Sequence, residues 1–120
     1  MSKKIMLVDD AAFMRMTIKN TLTKAGYDAI IEAADGQQAV TTYDAERPDL
    51  VIMDITMPNM DGIQALQAIR TLDPEAKVVM CSAMGQETMV IEAIRLGAKD
   101  FIVKPFKGDR ILQTVEKIIG

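Results

Sequence analysis

Asp9, Asp10, Asp54, Ser82 and Lys104 each stand where a short apolar run gives way to polar residues, and their side chains together suit phosphoryl chemistry. Carboxylates gathered in one place repel one another, and one of them would tend to keep its proton unless a cation intervened. A hard divalent cation fits, because Mg2+ takes octahedral oxygen ligands, keeps several waters and shares one or two carboxylates with phosphate oxygens. Asp10 and Asp54 are the expected direct ligands, with Asp9 holding a metal-bound water. A backbone carbonyl from the Asp54-Thr56 turn, assigned to Thr56, completes the protein oxygens. The chain contains no histidine and a single cysteine, so nothing in it favours zinc or copper. Lys104 offers a point charge and Ser82 a hydroxyl to the oxygens of an incoming phosphoryl group. Asp54 is then the carboxylate nucleophile, with cationic partners stabilising the equatorial oxygens of a loose transition state. Its product, an aspartyl phosphate, is a mixed anhydride open to hydrolysis, so the modification is expected to be transient and self-erasing.

Each residue also has a plainer reading. Asp10 alone serves as well as a helix N-cap, Ser82 as the cap of the following helix, and Lys104 as an ordinary surface lysine. What favours a site is their joint occurrence at four strand ends. The stretch Leu50 to Pro58 is the centre of that pattern, an apolar run bounded by Pro48-Asp49 and Pro58-Asn59 and interrupted by Asp54. Such a run reads as a strand buried on both faces, with Asp54 where the strand surfaces. In open α/β sheets the carboxyl ends of strands line the ligand crevice.

The elements that must position these residues alternate along the chain. Strands are expected at Lys4 to Val8, Asp28 to Ala33, the central run, Lys77 to Cys81, and Asp100 to Val103. A helix over Ala11 to Lys24 carries Phe13, Met14, Met16, Thr17, Ile18 and Leu22 as its apolar stripe and stops at Gly26. Asp35 and Gln38 stand at capping-box spacing before a helix running to about Ala45, and Asp61 and Gln64 repeat the spacing before a helix ended by Asp73-Pro74. A fourth helix carries Met89, Ile91, Ala93, Ile94 and Leu96 up to Gly97, and a fifth runs from Asp109 to Ile119. Alternating β and α with short loops specifies an α/β fold, a three-layer (βα)5 sandwich around a parallel five-stranded sheet. Right-handed crossovers leave few topologies, and likeness to flavodoxin-like folds points to strand order 2-1-3-4-5. That order makes Asp9, Asp10 and Asp54 neighbours.

Composition narrows the function further. One hundred and twenty residues are expected to form a single domain over 1–120, whose output must pass through a partner. The start Met1-Ser2-Lys3-Lys4 leads into a strand without a signal-peptide core, and no apolar segment approaches the roughly 18 residues of a membrane span, so a cytoplasmic location is expected. Cys81 closes an apolar run and reads as a buried, reduced thiol; without histidine, triads and histidine phosphocarriers are excluded. The net charge of −3 and the lack of a basic stripe disfavour nucleic acid. The ten methionines read chiefly as gap-filling core.

Val8-Asp9-Asp10, the stretch Met53 to Gly62, Ser82-Ala83 and Lys104-Pro105-Phe106 together resemble the receiver domain of two-component response regulators. The resemblance covers essentially the whole chain. Asp9 to Arg15 and Cys81 to Gln86 look most like the single-domain chemotaxis members of that family. The resemblance implies phosphotransfer from a histidine of a chemotaxis-type sensor kinase onto Asp54, Mg2+ at Asp9, Asp10 and Asp54, and a cis Lys104-Pro105 peptide. It also implies a switch in which Ser82 and Phe101 move together, a monomer that binds a flagellar motor switch protein, and a possible phosphatase partner. The chain would be a signalling switch catalysing its own phosphorylation and dephosphorylation rather than an enzyme. Two departures stand out: Phe101 replaces the tyrosine of some relatives, and Ser82 the threonine of many, which leaves its rotamer freer.

Readings from other classes fit less well. A flavodoxin-like cofactor carrier needs a Ser/Thr/Gly-rich phosphate loop where Asp9-Asp10 stands. A haloacid-dehalogenase-type phosphatase needs an acid where Thr56 stands. A phosphorelay intermediate, passing its phosphoryl group to a histidine phosphotransfer protein, is the rival within the receiver reading. The output face is expected on the fourth helix, fifth strand and fifth helix, because from Arg95 onward six basic residues face three acids, against eight and fourteen before it.

Overall fold

Alternation of short apolar runs with amphipathic segments produces five strands and five helices in the computed structural model, which describes residues 3–120. In chain order they are β1 (Lys4–Val8), α1 (Ala12–Lys24), β2 (Ala29–Ala33), α2 (Gly36–Glu46), β3 (Leu50–Asp54), α3 (Gly62–Leu72), β4 (Val78–Ser82), α4 (Glu87–Arg95), β5 (Asp100–Val103) and α5 (Gly108–Ile119). All strand pairings are parallel and the sheet order is β2-β1-β3-β4-β5, the expected topology.

The period of two in each strand divides the core into two layers. Met6, Val8, Val51, Met53, Val78 and Met80 point to one side, where α2, α3 and α4 close over them with Tyr43, Leu66, Ile69 and Ala93. Ile5, Leu7, Leu50, Ile52, Val79, Cys81 and Ile102 point to the other, under Ile18 and Leu22 of α1 and Ile111, Val115 and Ile119 of α5. Burial on both faces is why β1, β3 and β4 read as apolar runs; each fully buried side chain contributes roughly 1.5–3 kcal/mol of transfer free energy. Met6, Met53, Met57 and Met80 are buried in the core and Met14, Met60 and Met89 pack partly buried against it, whereas Met16 and Met84 lie exposed.

Several boundaries differ from expectation. β4 runs from Val78 to Ser82 rather than Lys77 to Cys81, so Ser82 pairs with Val103 as the last strand residue. β2 starts one residue late, at Ala29, and α5 one residue early, at Gly108. The α1 stripe is only partly core: Ile18 and Leu22 are buried, but Phe13 is 74% and Met16 53% exposed. Periodicity alone cannot say which face of a helix meets the sheet when apolar residues spread around much of its circumference. The Asp35 box is half formed, since Asp35 accepts from the Gln38 N–H but Gln38 Oε1 accepts from Ala34 N–H instead. α3 makes both bonds of its box, between Asp61 and Gln64. No helix among the described residues is long and apolar enough to cross a membrane.

Candidate functional site

Parallel strands deliver their carboxyl ends to one edge of the sheet, and this edge gathers the chemistry. The register sets Val8 beside Met53 and Asp54 beside Cys81, so Asp9, Asp54 and Ser82 emerge from three adjacent strands. One carboxylate oxygen from each of Asp9, Asp10 and Asp54 lies within 4.8 Å of the others. Asp9 and Ser82 are buried, and Asp10 is exposed at the mouth. An anionic, all-oxygen set at this spacing fits a hard divalent cation of the Mg2+ type.

Lys104 reaches the cluster from the end of β5. Its Nζ lies 3.1 Å from Asp54 Oδ2 and 3.2 Å from Asp9 Oδ2, and its backbone N–H donates to the Ser82 carbonyl at 2.7 Å. The Lys104-Pro105 peptide is cis, as the resemblance implies. Lys104 is therefore no ordinary surface lysine. Nor do Asp10 and Ser82 act as caps, since Ala11 and Gln86 hold the N-cap positions of α1 and α4 without side-chain cap bonds.

Electrostatics distinguish the partners. Burial raises the Asp54 pKa; Lys104 draws it back, Asp9 pushes it up again, and the net shift is upward. Burial also pulls Lys104 down, but attraction to Asp54 and Asp9 outweighs it, so this ammonium holds its proton more firmly than a free lysine. A poorly solvated carboxylate is a stronger base and nucleophile than one in water, and the adjacent ammonium stands ready for new negative charge. Cys81 is different. Burial pushes its thiol up to about 12, which keeps it protonated and inert.

The loop after Asp54 is fixed at several points. Gly62 starts α3 directly against the Asp54 backbone, and a Cβ there would sit 2.2 Å from the Asp54 carbonyl oxygen. The Gly62 N–H donates to Ile55 O at 2.7 Å, and Ile55 N–H to Cys81 O at 3.1 Å. Asn59 adopts a left-handed φ of 66°, which its short polar side chain tolerates, and donates to Asp35 Oδ2 at 2.9 Å.

Three contributors escape sequence reasoning. Arg15 of α1 donates to the Asp9 carbonyl and pairs with Glu32 of β2 at 3.0 Å, steadying the Asp9-Asp10 turn. Asn59 and Gln86 bind across loops. Each contact depends on strand order rather than on spacing along the chain, and only Asn59, in a turn that demands an unusual φ, carries a local signal.

Phe101 is 37% exposed on β5 and flanks a groove of about 640 Å3 between α4 and β5, lined also by Ala83, Met84, Val90, Ile91 and Ile94. The groove's upper end touches Ser82, linking the acidic crevice to an exposed apolar surface.

Known proteins resemble this chain in sequence and fold. Residues 5–116 match the response regulator receiver domain. The chain is 57% identical to the chemotaxis protein CheY of Bacillus subtilis (strain 168), over all of both chains. It is 55% identical to CheY of Thermotoga maritima, over 98% of each. Among solved structures, the CheX-CheY-BeF3-Mg2+ complex from Borrelia burgdorferi superposes with a TM-score of 0.93 at 39% identity, covering 98% of this chain and 90% of that one. With the acidic cluster, the bridging lysine and the 2-1-3-4-5 sheet in place, the chain belongs to the response regulator receiver family, as a CheY-like regulator of two-component signalling.

Proposed function

We propose that Asp54 accepts a phosphoryl group from a histidine of a chemotaxis-type kinase in the cytoplasm, and that the phosphorylated form binds a flagellar motor switch protein through the face of α4, β5 and α5. The observation that carries this reading is the pairing of Asp54 with Lys104 at 3.1 Å inside a cluster containing Asp9 and Asp10. An Asp54 carboxylate oxygen forms the new bond to phosphorus as the phosphorus–nitrogen bond of the donor imidazole breaks, its electron pair returning to the ring nitrogen. Lys104, already bound to Asp54, follows the charge onto the phosphoryl oxygens, and the Ser82 hydroxyl supplies a further donor. Asp9, Asp10, Asp54 and the Thr56 carbonyl would hold Mg2+, whose charge offsets that of the transferring group when it is bound. Water then attacks the acyl phosphate and returns the carboxylate and inorganic phosphate, so the chain resets itself; a phosphatase partner would shorten that interval.

The switch reading rests on Ser82 and Phe101. Drawing Ser82 toward the phosphoryl group frees space beside β5 into which Phe101 turns, remodelling the adjoining groove. Exposed Met84, Ile91, Ile94 and Val103 form an apolar surface with no partner in the described chain, as docking sites do. Asp100 on this face is already paired with Lys117 at 3.2 Å and Arg110 at 3.9 Å, which leaves Arg95, Lys99 and Lys107 to attract an acidic segment.

Acetyl phosphate with Mg2+ tests the acceptor. Intact-mass analysis is expected to show one added phosphoryl group on the wild type and none on Asp54→Asn, with labelling abolished by chelation. Equal modification of both proteins overturns the assignment. Mg2+ alone is expected to raise the thermal midpoint, and the Asp10→Asn variant to lose much of that shift; at a hundred times its Kd, a ligand adds about 2.7 kcal/mol. Charge reversal of Lys99 and Lys107 together is expected to weaken partner binding and leave labelling of Asp54 intact.

A further inference from the structure

The loop from Ala83 to Gln86 joins Ser82 to α4, and little holds it. Ala83, Met84 and Gly85 are exposed, and a Cβ built on Gly85 meets nothing within 4 Å. Gln86 occupies the N-cap position of α4, yet its side chain makes no cap bond to its own helix. Instead its Oε1 accepts from the Ala83 N–H at 2.6 Å, and its Nε2 donates to Thr56 Oγ1 at 2.8 Å. Among the described residues, no other side chain hydrogen-bonds to the backbone of residues 83–86. A single neutral amide thus joins the residue after Ser82 to the residue two beyond Asp54.

We propose that Gln86 is a positioning residue for the switch: its amide straps the loop after β4 to the loop after β3 and holds Ser82 in the resting arrangement until Asp54 is phosphorylated. The inference rests on the switch described above. A movement of the Ser82 backbone toward Asp54 carries Ala83, to which it is bonded, and that shift pulls the Ala83 N–H from Gln86 or drags Gln86 from Thr56. Bonds present in only one of two conformations bias the equilibrium toward it by their own net worth. Two partly solvated neutral hydrogen bonds are worth about a fivefold change in that ratio. The strap carries no charge, so its effect is independent of salt, unlike that of the ammonium on the opposite side of the crevice.

Beryllium fluoride with fixed Mg2+ is the probe, because it binds reversibly and reports an equilibrium. In Gln86→Ala, half-saturation followed through the β5 amide resonances is expected at about fivefold lower beryllium fluoride than in the wild type. Thr56→Val, which keeps the backbone carbonyl and removes only the hydroxyl, is expected to shift it the same way, and the double variant to go no further than Gln86→Ala. The Ala83 amide is expected to exchange about fivefold faster in unphosphorylated Gln86→Ala. A residue that merely supported the fold would lower the melting temperature and weaken probe binding instead. Unchanged half-saturation in Gln86→Ala, with the wild type binding normally, overturns the strap alone. Failure of the wild type to bind the probe, or equal binding by Asp54→Asn, overturns the acceptor reading and the strap with it.

Discussion

α3 and α4 cover the same face of the sheet, and they are built differently. α3 starts with a complete capping box, begins against the Asp54 backbone and buries Ile63, Ala65, Leu66 and Ile69. α4 starts without a side-chain cap and buries only Ala93, leaving Ile91 54% and Ile94 44% exposed. The helix that follows Asp54 is thereby locked, and the helix that follows Ser82 is held lightly. In the proposed switch this division is functional: a fixed acceptor stays in register with its partners while the adjoining surface can change at small cost. Elements that move in signalling come from the less stable parts of a fold, and α4 has the marks of one.

Truncation should expose the difference most strongly. Leu66 is fully buried in α3, so Leu66→Ala is expected to cost about 3 kcal/mol in urea denaturation. Ile94→Ala removes the same three carbons from an exposed position and is expected to change stability by no more than about 0.5 kcal/mol, while weakening partner binding. Comparable losses at the two positions would remove the distinction between the helices.

The acidic crevice gives the second contrast. Lys104→Met leaves Asp9 and Asp54 facing each other without their shared ammonium, and is expected to cost about 1–2 kcal/mol in Mg2+-free buffer, between surface and buried ion pairs. Lys104 has a raised folded pKa, so the stability it adds is fully present below the ordinary lysine value of 10.5 and is lost as pH rises through the folded value. The wild type and Lys104→Met should therefore converge in denaturation midpoint at strongly alkaline pH. A constant gap through that range would mean that packing of the lysine stem, rather than its charge, supports the site.

How far these contrasts can be read from the sequence depends on whether the cause is local. β1 and the central strand are legible because strands buried on both faces are apolar along their length and stop at charge, and β5 because a short apolar run stands between Asp100 and Lys104. The Asp61–Gln64 box is legible because both of its bonds close within one turn. The three acids are legible as a set once the strand order is assumed. Phe13 and Met16 mislead, because helical spacing identifies a stripe but not what covers it. Lys104 could be assigned to the crevice but not to its bridge across Asp9 and Asp54, which joins residues distant in sequence through the sheet. The Asn59–Asp35 and Gln86–Thr56 bonds have the same origin, and no spacing rule reaches them.

The smallest of these effects is read as a sign rather than a size, and it compares two carboxylates. Hydrogen bonds from the Gln38 N–H and the Asn59 amide lower the Asp35 pKa, so Asp35 adds stability above its ordinary value of 3.8, lost as pH falls through the folded value. Burial raises Asp54, which acts oppositely: the folded state binds the proton more tightly than the unfolded one, so stability falls as pH rises from the ordinary value through the folded one. In Mg2+-free buffer Asp54→Asn is therefore expected to be more stable than the wild type at neutral pH, with the gap closing on acidification. Asp35→Asn is expected to be less stable at neutral pH, its gap also closing in acid. Denaturant melts from pH 3 to pH 7 would separate the two, and two gaps of the same sign would contradict the assignment of Asp54 as the strained, poised carboxylate. The opposite signs follow from what each acid faces: Asp35 has donors that outweigh its desolvation, whereas at Asp54 burial outweighs the one ammonium it shares with Asp9.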